Sequence, residues 1–396
     1  MAAPEPQTLD RRALNRALMA RQLLMERSPL TAVEAVEHLV GLQAQAPDPP
    51  YIGLWTRLAG FTIEELAATV RVRQVVRIVL MRGTIHLVSA RDCLRLRPVL
   101  RESLERSLIS TFGRKLAGAD LDAVSALGRK LVEHEPLTLG ALGSALAGRW
   151  PGHDAFALAN AVRNRVPLIQ VPPRGLWGES GQARHTTAES WLGAAAEPAA
   201  DPAALVERYL AAFGPATVKD MQTWSGMTRL AAVVRQLGSR LQVFRDEQGQ
   251  QLYDLPGAPR PPGDTPVPVR FLPEFDNILL SHADRSRILT EEQRRLVFTR
   301  NGIIRSTFLV DGFVHGLWRI ERERDAARLV VRPWSPLGRG ARTELTAEGA
   351  RLLSFAAAGC TRTEVAIEPS VRAYRCPDQP STRPVWAPSR RRWTRG

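Results

Sequence analysis

The sequence predicts an α+β protein in which three tandem winged-helix (helix-turn-helix) domains precede a small β-rich C-terminal region. One pattern recurs three times along the 396 residues: two or three short helices, then two strands joined by a glycine-bearing turn. A proline-rich stretch over 256–268 ends this pattern and predicts a stiff linker. We place the winged helices in 1–115, 116–200 and 201–258, the β-rich region in 259–368, and a basic tail, expected to be disordered, in 369–396.

The first repeat begins its helices at two capping boxes, each a threonine followed three residues later by a glutamate. These pairs are Thr31 with Glu34 and Thr62 with Glu65. Strands are predicted over 75–80 and 85–88, with Gly83 in the turn between them. Ser89 with Asp92 then caps the next helix.

The second and third repeats follow the same order of elements. In the second, helices are predicted over 121–133, 138–146 and 154–164, and strands over 168–171 and 183–187. In the third, helices are predicted over 203–213, 217–224 and 228–237, and strands over 241–245 and 251–255. Gly226 stands where a helix-turn-helix motif has its turn.

The region after the linker is predicted to be mainly β-structure. Its strands are expected over 269–272, 278–280, 303–310, 313–320, 328–333 and 364–367, with a helix over 346–358. Asp311-Gly312 between two apolar runs is a strong type I′ turn signal, so residues 303–320 should form a hairpin.

Composition favours a polyanionic partner. Lys plus Arg number 54 against 40 Asp plus Glu, which gives a net charge of +14 and suits nucleic acid, although basic proteins also bind membranes or simply stay soluble. No apolar run approaches the roughly 20 residues that span a bilayer, and residues 1–7 lack a signal-peptide core. We therefore expect no membrane partner and a cytoplasmic, nucleoid-associated location in a bacterium.

The sequence lacks the motifs that several kinds of catalytic and binding site require. The three cysteines are far apart and form no CxxC pair, so the sequence predicts neither a zinc site nor a disulfide framework. No P-loop, G-x-S-x-G, H-E-x-x-H or G-x-G-x-x-G string occurs, and we expect no metal and no cofactor. Only Lys115, Lys130 and Lys219 offer amines for an imine mechanism.

The segment Gln43-Ala44-Gln45 is the strongest catalytic candidate. It lies between an amphipathic helix and the prolines Pro47, Pro49 and Pro50, which should force the following backbone out of the helical region. Side chains two residues apart point to the same side of extended backbone, and two carboxamides offer enough donors and acceptors to orient one water. The alternative is a helix end whose glutamines cap their own carbonyls.

Four segments together resemble one protein family. They are 41–45 (Gly-Leu-Gln-Ala-Gln, followed by Pro47), 81–90 (Met-Arg-Gly-Thr-Ile-His-Leu-Val-Ser-Ala), 272–277 (Leu-Pro-Glu-Phe-Asp-Asn) and 309–318 (Leu-Val-Asp-Gly-Phe-Val-His-Gly-Leu-Trp). They resemble the tandem winged-helix DNA glycosylases of the AlkZ and YcaQ type, in family order and over about residues 10–368. The Gln-x-Gln form is similar to the AlkZ branch, and Ala44 is smaller than the aliphatic residue usual there.

The resemblance implies an activity and a partner. It implies a monomeric, monofunctional enzyme, without cofactor or metal, that acts on double-stranded DNA carrying N7-alkylated purines or interstrand crosslinks and gives self-resistance against DNA-alkylating natural products. Gln43 and Gln45 would be its catalytic residues. The alternatives are a noncatalytic winged-helix transcription regulator, which would need base-edge readout of a defined site, and an inactive relative that only binds damaged DNA.

Further DNA contacts are expected around the first wing and in a loop of the C-terminal region. Arg82 and His86 lie at the first wing and are candidates to touch phosphate, although His86 has an alternative role as a core histidine. Arg285 and Arg287 are expected to face DNA, the alternative being an ordinary solvated charge run. For Asp276, a turn-capping role is preferred over a functional one.

The hairpin 303–320 is the last candidate. Its strands alternate apolar residues with cations, and the family resemblance favours a finger that probes the groove beside the lesion. The residues expected to contact DNA are Arg305, Asp311, Gly312, His315 and Arg319. The alternative is an ordinary sheet hairpin with a solvated outer face.

Overall fold

The first part of the chain places short strands among helices. The structure, a computed structural model, describes residues 5–197 and 201–370. Its first elements are β1 (Thr8–Leu9), α1 (Arg11–Arg21), α2 (Ala32–His38), β2 (Leu42–Gln43), α3 (Pro49–Trp55), α4 (Ile63–Arg71), β3 (Val75–Val79), β4 (Ile85–Ser89), α5 (Ala90–Val99) and α6 (Arg101–Phe112).

Two further groups of helices each end in a pair of antiparallel strands. The first group is α7 (Leu121–His134), β5 (Leu137–Thr138), α8 (Leu139–Arg149), α9 (Ala155–Arg165), β6 (Leu168–Gln170), β7 (Arg184–Thr187) and α10 (Ala188–Leu192). The second is α11 (Pro202–Phe213), α12 (Val218–Ser225), α13 (Leu230–Leu237), β8 (Gln242–Asp246) and β9 (Gln251–Asp254). Every helix and strand predicted for the second and third repeats is present, within a few residues at each end.

The C-terminal region contains a five-stranded sheet in the order β10-β11-β12-β13-β14. Its elements are β10 (Arg270–Leu272), α14 (Asn277–Leu280), α15 (Glu291–Val297), β11 (Thr307–Val310), β12 (Phe313–Arg322), β13 (Ala326–Pro333), α16 (Arg339–Ala356) and β14 (Arg362–Ile367). Residues 371–396, most of the predicted basic tail, lie outside the described part of the chain. No helix within the described residues is long and apolar enough to cross a membrane.

Side-chain caps explain where many of the helices begin. At α2, Thr31 and Glu34 form the complete predicted capping box. At α4 only half of the predicted box is present: Thr62 accepts from the Glu65 N–H, whereas the Glu65 carboxylate accepts from Ala32 N at 2.8 Å. Glu65 therefore links the start of α4 to the start of α2.

The strand pairs of the first two repeats do not stand apart as separate wings. They join through β3 and β6, where Ile78 pairs with Ile169, into one six-stranded sheet of order β2-β4-β3-β6-β7-β5. The third pair, β8 and β9, forms a sheet with β1, in which Thr8 pairs with Arg245. The α+β class is confirmed, while the count of three winged-helix domains and their boundaries stay predictions.

Several segments differ from the predicted secondary structure. Helix α15 was not predicted, α16 begins at Arg339 rather than at 346, and β11 begins at Thr307 rather than at 303. Residues 278–280, predicted as a strand, belong to the short helix α14, because Asp276 accepts from Ile278 N and starts a helical turn. The prolines after Gln45 were expected to keep the chain extended, but α3 begins at Pro49. A proline in the first helical turn has no N–H to lose and already has a helical φ.

The apolar core has two main parts. The larger unites α2, β3, β4, α11 and the C-terminal sheet, with Leu18, Val88, Phe213 and Phe308 fully or almost fully buried. A smaller core lies among α6 to α9 around Val124, Leu142 and Val162. The chain that carries Gln43 is therefore packed between the first helices and the C-terminal region.

Candidate active site

Gln43 and Gln45 lie on extended backbone beside strand β4. Gln43 ends β2 and pairs with His86, and the extension continues one residue further, where Ala44 N donates to Ile85 O at 2.7 Å. Ala44 itself is fully buried. The two amides therefore project from one short, backbone-bonded segment next to the start of β4.

The oxygen of each amide is held by a protein donor. Gln43 Oε1 accepts from Arg82 Nη2 at 2.8 Å, and Gln45 Oε1 accepts from Ile85 N at 3.3 Å. Because a guanidinium and a backbone N–H can only donate, the carbonyl of each amide must face them. Neither NH2 group has a hydrogen-bond partner among the described residues, so both donors remain for a ligand.

Burial separates the two amides. Gln43 is only 6% exposed, whereas Gln45 is exposed to solvent. The Gln43 bond is also charge-assisted, which makes it shorter and stronger than a bond between neutral groups. Gln43 is the more rigidly held member of the pair.

Arg77 holds the segment from behind. It is almost fully buried in β3, and it donates to Ala44 O at 2.6 Å and to Ala46 O at 3.3 Å. Its Nε also donates to Gln170 Oε1 at 3.1 Å, which links the segment to β6. Burial, and then the charge of Arg174, lowers the pKa of Arg77 to about 9, so the guanidinium is still charged at neutral pH.

Asn277 holds the chain on the other side of the pair. Its Nδ2 donates to Gly41 O at 2.8 Å. Gly41 has a φ of +87°, and a Cβ there would lie 2.7 Å from Val88 Cγ1, so only glycine fits. Asp276, next to Asn277, caps α14 as preferred from the sequence and also forms a buried bidentate ion pair with Arg57, with both N–O distances at 2.8 Å.

Arg82 and His86 have protein partners in the structure. Arg82 is half-buried with a φ of +57°, and it bridges Gln43 to Trp224 O at the end of α12. His86 is 2% exposed, and burial, then Arg82, lowers the pKa of its imidazole to about 3. The expected phosphate contact at His86 is therefore corrected to its alternative, a neutral core histidine, and Arg82 supports Gln43.

Comparison with known proteins identifies a protein family that matches this chain. The family model described as DNA glycosylase AlkZ-like matches residues 36–355. The chain belongs to the AlkZ-like DNA glycosylases. An interstrand DNA cross-link repair glycosylase of Streptomyces sahachiroi is 24% identical over 345 residues, which cover 80% of this chain and 88% of that protein.

A solved structure shows the same fold. The Streptomyces sahachiroi DNA glycosylase AlkZ superposes with a TM-score of 0.75 at 22% identity, over 91% of this chain and 100% of that one. The resemblance drawn from the sequence segments is thus confirmed at the level of the family. Two of those segments, at 41–45 and 272–277, meet where Asn277 binds Gly41.

Several predicted DNA contacts of this AlkZ-like chain lie elsewhere than expected. Arg287 is 7% exposed and donates to Pro215 O at 2.9 Å, so it is corrected from a loop cation to a buried structural residue. Arg285 is half-buried, donates to Leu279 O at 2.7 Å and lies 5.0 Å over the Phe298 ring. Burial lowers the pKa of both guanidinium groups.

The hairpin turn forms as predicted, but its tip is not a free finger. Asp311 and Gly312 have φ values of +49° and +79°, as a type I′ turn requires. Asp311 pairs with Arg16 at 2.5 Å and with Arg12 at 2.8 Å, and Gly312 O accepts from Asn15 Nδ2 at 2.8 Å. The expectation of a projecting tip is therefore corrected, because the turn is fixed to α1.

The remaining hairpin residues line its flank. Arg305 and Arg319 are exposed, and Arg319 pairs with Glu321 at 2.5 Å. His315 is partly buried and lies 3.3 Å from Ser335 O. Whether these three residues touch DNA stays a prediction.

Sequence reasoning missed Arg77, whose guanidinium binds the backbone beside Gln43 and Gln45. A signal was present, because Arg77 interrupts the apolar strand run Val75-Val76-Arg77-Ile78-Val79, and a charge in a buried strand requires partners. The identity of those partners, two backbone oxygens and Gln170, depends on tertiary structure.

Among the described residues, no cluster of His, Cys, Asp and Glu side chains could hold a metal ion.

Proposed function

We propose that this protein is a DNA glycosylase that hydrolyses the N-glycosidic bond of N7-alkylated purines in double-stranded DNA and unhooks interstrand crosslinks. The observation that carries the proposal is the pair of anchored amides, Gln43 and Gln45, with free NH2 groups in a chain of the AlkZ-like family. The similarity to the interstrand DNA cross-link repair glycosylase of Streptomyces sahachiroi supports the crosslink substrate.

The substrate chemistry matches what two amides can do. A purine alkylated at N7 is cationic, so its bond to the sugar breaks without strong acid assistance and the base leaves as a neutral molecule. The sugar passes through an oxocarbenium-like state that a water must attack, as in glycoside hydrolysis. The site therefore has to hold a water and stabilise charge, with no strong general acid.

Gln43 and Gln45 have the hydrogen-bonding groups needed to hold that water. Each amide oxygen has a second lone pair beside the one used by Arg82 or Ile85, and each NH2 group is a free donor. Together they can orient the oxygen and the protons of one water through fixed dipoles. Because an amide does not take a proton at neutral pH, we expect activity only on lesions with weakened glycosidic bonds.

We further propose that the enzyme is monofunctional. An imine-forming lyase needs a desolvated amine, whereas Lys115, Lys130 and Lys219 are all exposed, and Lys115 pairs with Asp154 at 2.9 Å. Base release should leave an intact abasic strand that breaks only in hot alkali. Borohydride trapping of a covalent protein–DNA adduct would overturn this part of the proposal.

The biological setting is proposed on the same basis. A monomer acting on duplex DNA in the bacterial cytoplasm, with a role in self-resistance against DNA-alkylating natural products, agrees with the net charge of +14 and the family. Arg285, Arg305, His315 and Arg319 remain the proposed side-chain contacts to DNA.

The decisive experiment measures free base. The full chain is incubated with a duplex carrying N7-methylguanine and, separately, with a crosslinked duplex, and the Gln43→Ala/Gln45→Ala double variant serves as the inactive control. Release of base by the wild type alone is the expected result. A folded wild type that releases no base, together with one preferred operator in unbiased site selection, would replace the proposal with a transcription regulator.

A further inference from the structure

A second polar site adjoins the catalytic segment. A cavity of about 360 Å³ lies between the start of β4 and the helices and strands of residues 138–185. Ile85 on its wall supplies the N–H that holds Gln45, and Gln170 on its wall accepts from Arg77. The cavity thus touches the supports of the candidate active site, and neither catalytic glutamine lines it.

Three of the residues that line this cavity each have one buried side-chain nitrogen without a hydrogen-bond partner. These nitrogens are Arg163 Nε, Arg174 Nε and His185 Nε2. His185 is only 3% exposed. Arg163 and Arg174 also form no ion pair with a described residue, unlike the buried Arg21, which pairs with Asp254 at 2.6 Å. Because buried and half-buried charges are normally paired, two lining guanidinium groups without a carboxylate leave this wall of the cavity positively charged.

A helix end adds positive potential to the same cavity. Leu139 and Gly140 line it as the first residues of the eleven-residue helix α8, where backbone N–H groups have no partner within the helix. The first turn of α8 carries no acidic side chain, and no carboxylate lines the cavity. Thr138 Oγ1 accepts from Ala141 N at 3.1 Å and caps one of these N–H groups, and the N-terminal end of the helix dipole still favours an anion in the cavity.

The lining selects an anion over an extruded base. A base held outside the duplex is usually stacked on aromatic side chains, yet no Phe, Tyr or Trp lines this cavity. Two guanidinium groups and a helix N-terminus are instead typical of phosphate binding. We infer that this cavity binds one backbone phosphate of the DNA strand beside the lesion, with Arg163 and Arg174 as its cations.

His185 is a neutral part of the cavity wall. Its Nδ1 lies 3.4 Å from Leu137 O, so Nδ1 carries the proton and Nε2 keeps a lone pair. Burial, then the charge of Arg163, lowers the pKa of His185 to about 4, so at neutral pH the ring adds no charge to the cavity. A phosphate fixed here would set the position of the sugar relative to Gln45.

The ligand assignment rests on the proposed function, and its test avoids catalysis. Full-length wild type and the R163Q/R174Q double variant are titrated against a duplex with an uncleavable abasic-site analogue, in which each phosphate near the analogue is replaced in turn by a neutral methylphosphonate. At one position the replacement should weaken wild-type binding roughly tenfold, as for a charge-assisted contact, and should weaken the double variant less than about twofold.

Arg184→Gln is the matched control. Arg184 neighbours His185 on β7, is exposed and pairs with Glu135 at 2.8 Å, so this variant should respond to every methylphosphonate as the wild type does. Thermal unfolding checks that the variants fold. If the double variant does not fold, R163Q and R174Q are titrated singly, with the same expected loss of response at one position.

Equal responses of wild type and double variant at every phosphate would show a merely hydrated cavity and overturn the inference. A wild type that shows the phosphate response but releases no base would refute the proposed function alone. Base release with only additive phosphate effects would refute the phosphate site alone.

Discussion

Replacing Gln43 by Ala should slow base release more than replacing Gln45 by Ala. Gln43 is 6% exposed and held by a charge-assisted bond of 2.8 Å, while Gln45 is exposed and held at 3.3 Å. One preorganised dipole in a water-excluded site contributes about 2.7–4 kcal/mol to transition-state stabilisation. We therefore expect a fall of about 100- to 1000-fold for Gln43→Ala and of about tenfold for Gln45→Ala.

The assay is single-turnover release of N7-methylguanine from duplex DNA with enzyme in excess. Single turnover reports the chemical step and excludes slow product release. Affinity for undamaged duplex, measured in parallel, should stay within about twofold of the wild type, because neither glutamine is proposed to grip the backbone. Gln250→Ala, in the exposed turn between β8 and β9, is the control for a surface glutamine.

A third variant tests the role assigned to the free NH2 group. Gln43→Glu keeps an oxygen acceptor for Arg82 and removes the donor, so it should lose nearly as much activity as Gln43→Ala. Wild-type rates in both alanine variants would refute the catalytic assignment. Wild-type rates in Gln43→Glu alone would refute the use of the NH2 group and leave the amide oxygen as the working atom.

Three further predictions concern the affinity for undamaged DNA, the role of the hairpin and the dependence of folding stability on pH. Affinity for undamaged duplex should fall steeply with salt concentration and vary little with DNA sequence. Removing the tail after Glu368 should make affinity less dependent on salt without abolishing base excision. Filter binding between 50 and 200 mM salt, roughly the range over which several phosphate contacts are lost, checks both expectations. Changing Arg305 and Arg319 to Ala should slow crosslink unhooking several-fold more than N7-methylguanine release, and equal losses in gel assays of the two reactions would make the hairpin only scaffold. The pKa of His86 is about 3 in the folded protein against 6.5 in the unfolded chain, so its contribution to folding stability is complete above pH 6.5 and decreases as the pH falls toward 3. Between pH 7 and pH 5, the free energy of unfolding measured in urea should therefore change less in His86→Gln than in the wild type. Equal changes in the two proteins would contradict the role of His86 as a neutral core histidine.

Local signals predicted the elements whose structure is decided locally. Asp311-Gly312 specified its turn because only certain residues accept positive φ there, and the capping box at Thr31 specified the start of α2. Pro49 misled because proline is compatible both with extended chain and with the first turn of a helix. Secondary structure over the helical repeats was accordingly predicted well, and its errors cluster at segments with two compatible conformations.

The site was predictable only in part for a related reason. The sequence predicted that Gln43 and Gln45 point to the same side of the chain, but residues distant in sequence decide what each side chain contacts. Arg287 and Asp311 carry the same charges whether they face solvent or protein, and the structure pairs them with Pro215 O and with helix α1. The residues in such contacts are far apart in the sequence, so no local sequence pattern predicts them.

The junction around Gln43 limits how this chain can be divided or recombined. Gln43 is held by Arg82, which is bonded to Trp224, and the turn residue Gly226 leaves no room for a side chain because a Cβ there would lie 2.9 Å from Ser103 Oγ. A fragment ending near residue 115 would keep both glutamines and lose one of the contacts that orient Arg82. Chimaeras between relatives should therefore exchange the first and third repeats together, because contacts from both repeats hold Gln43 in place.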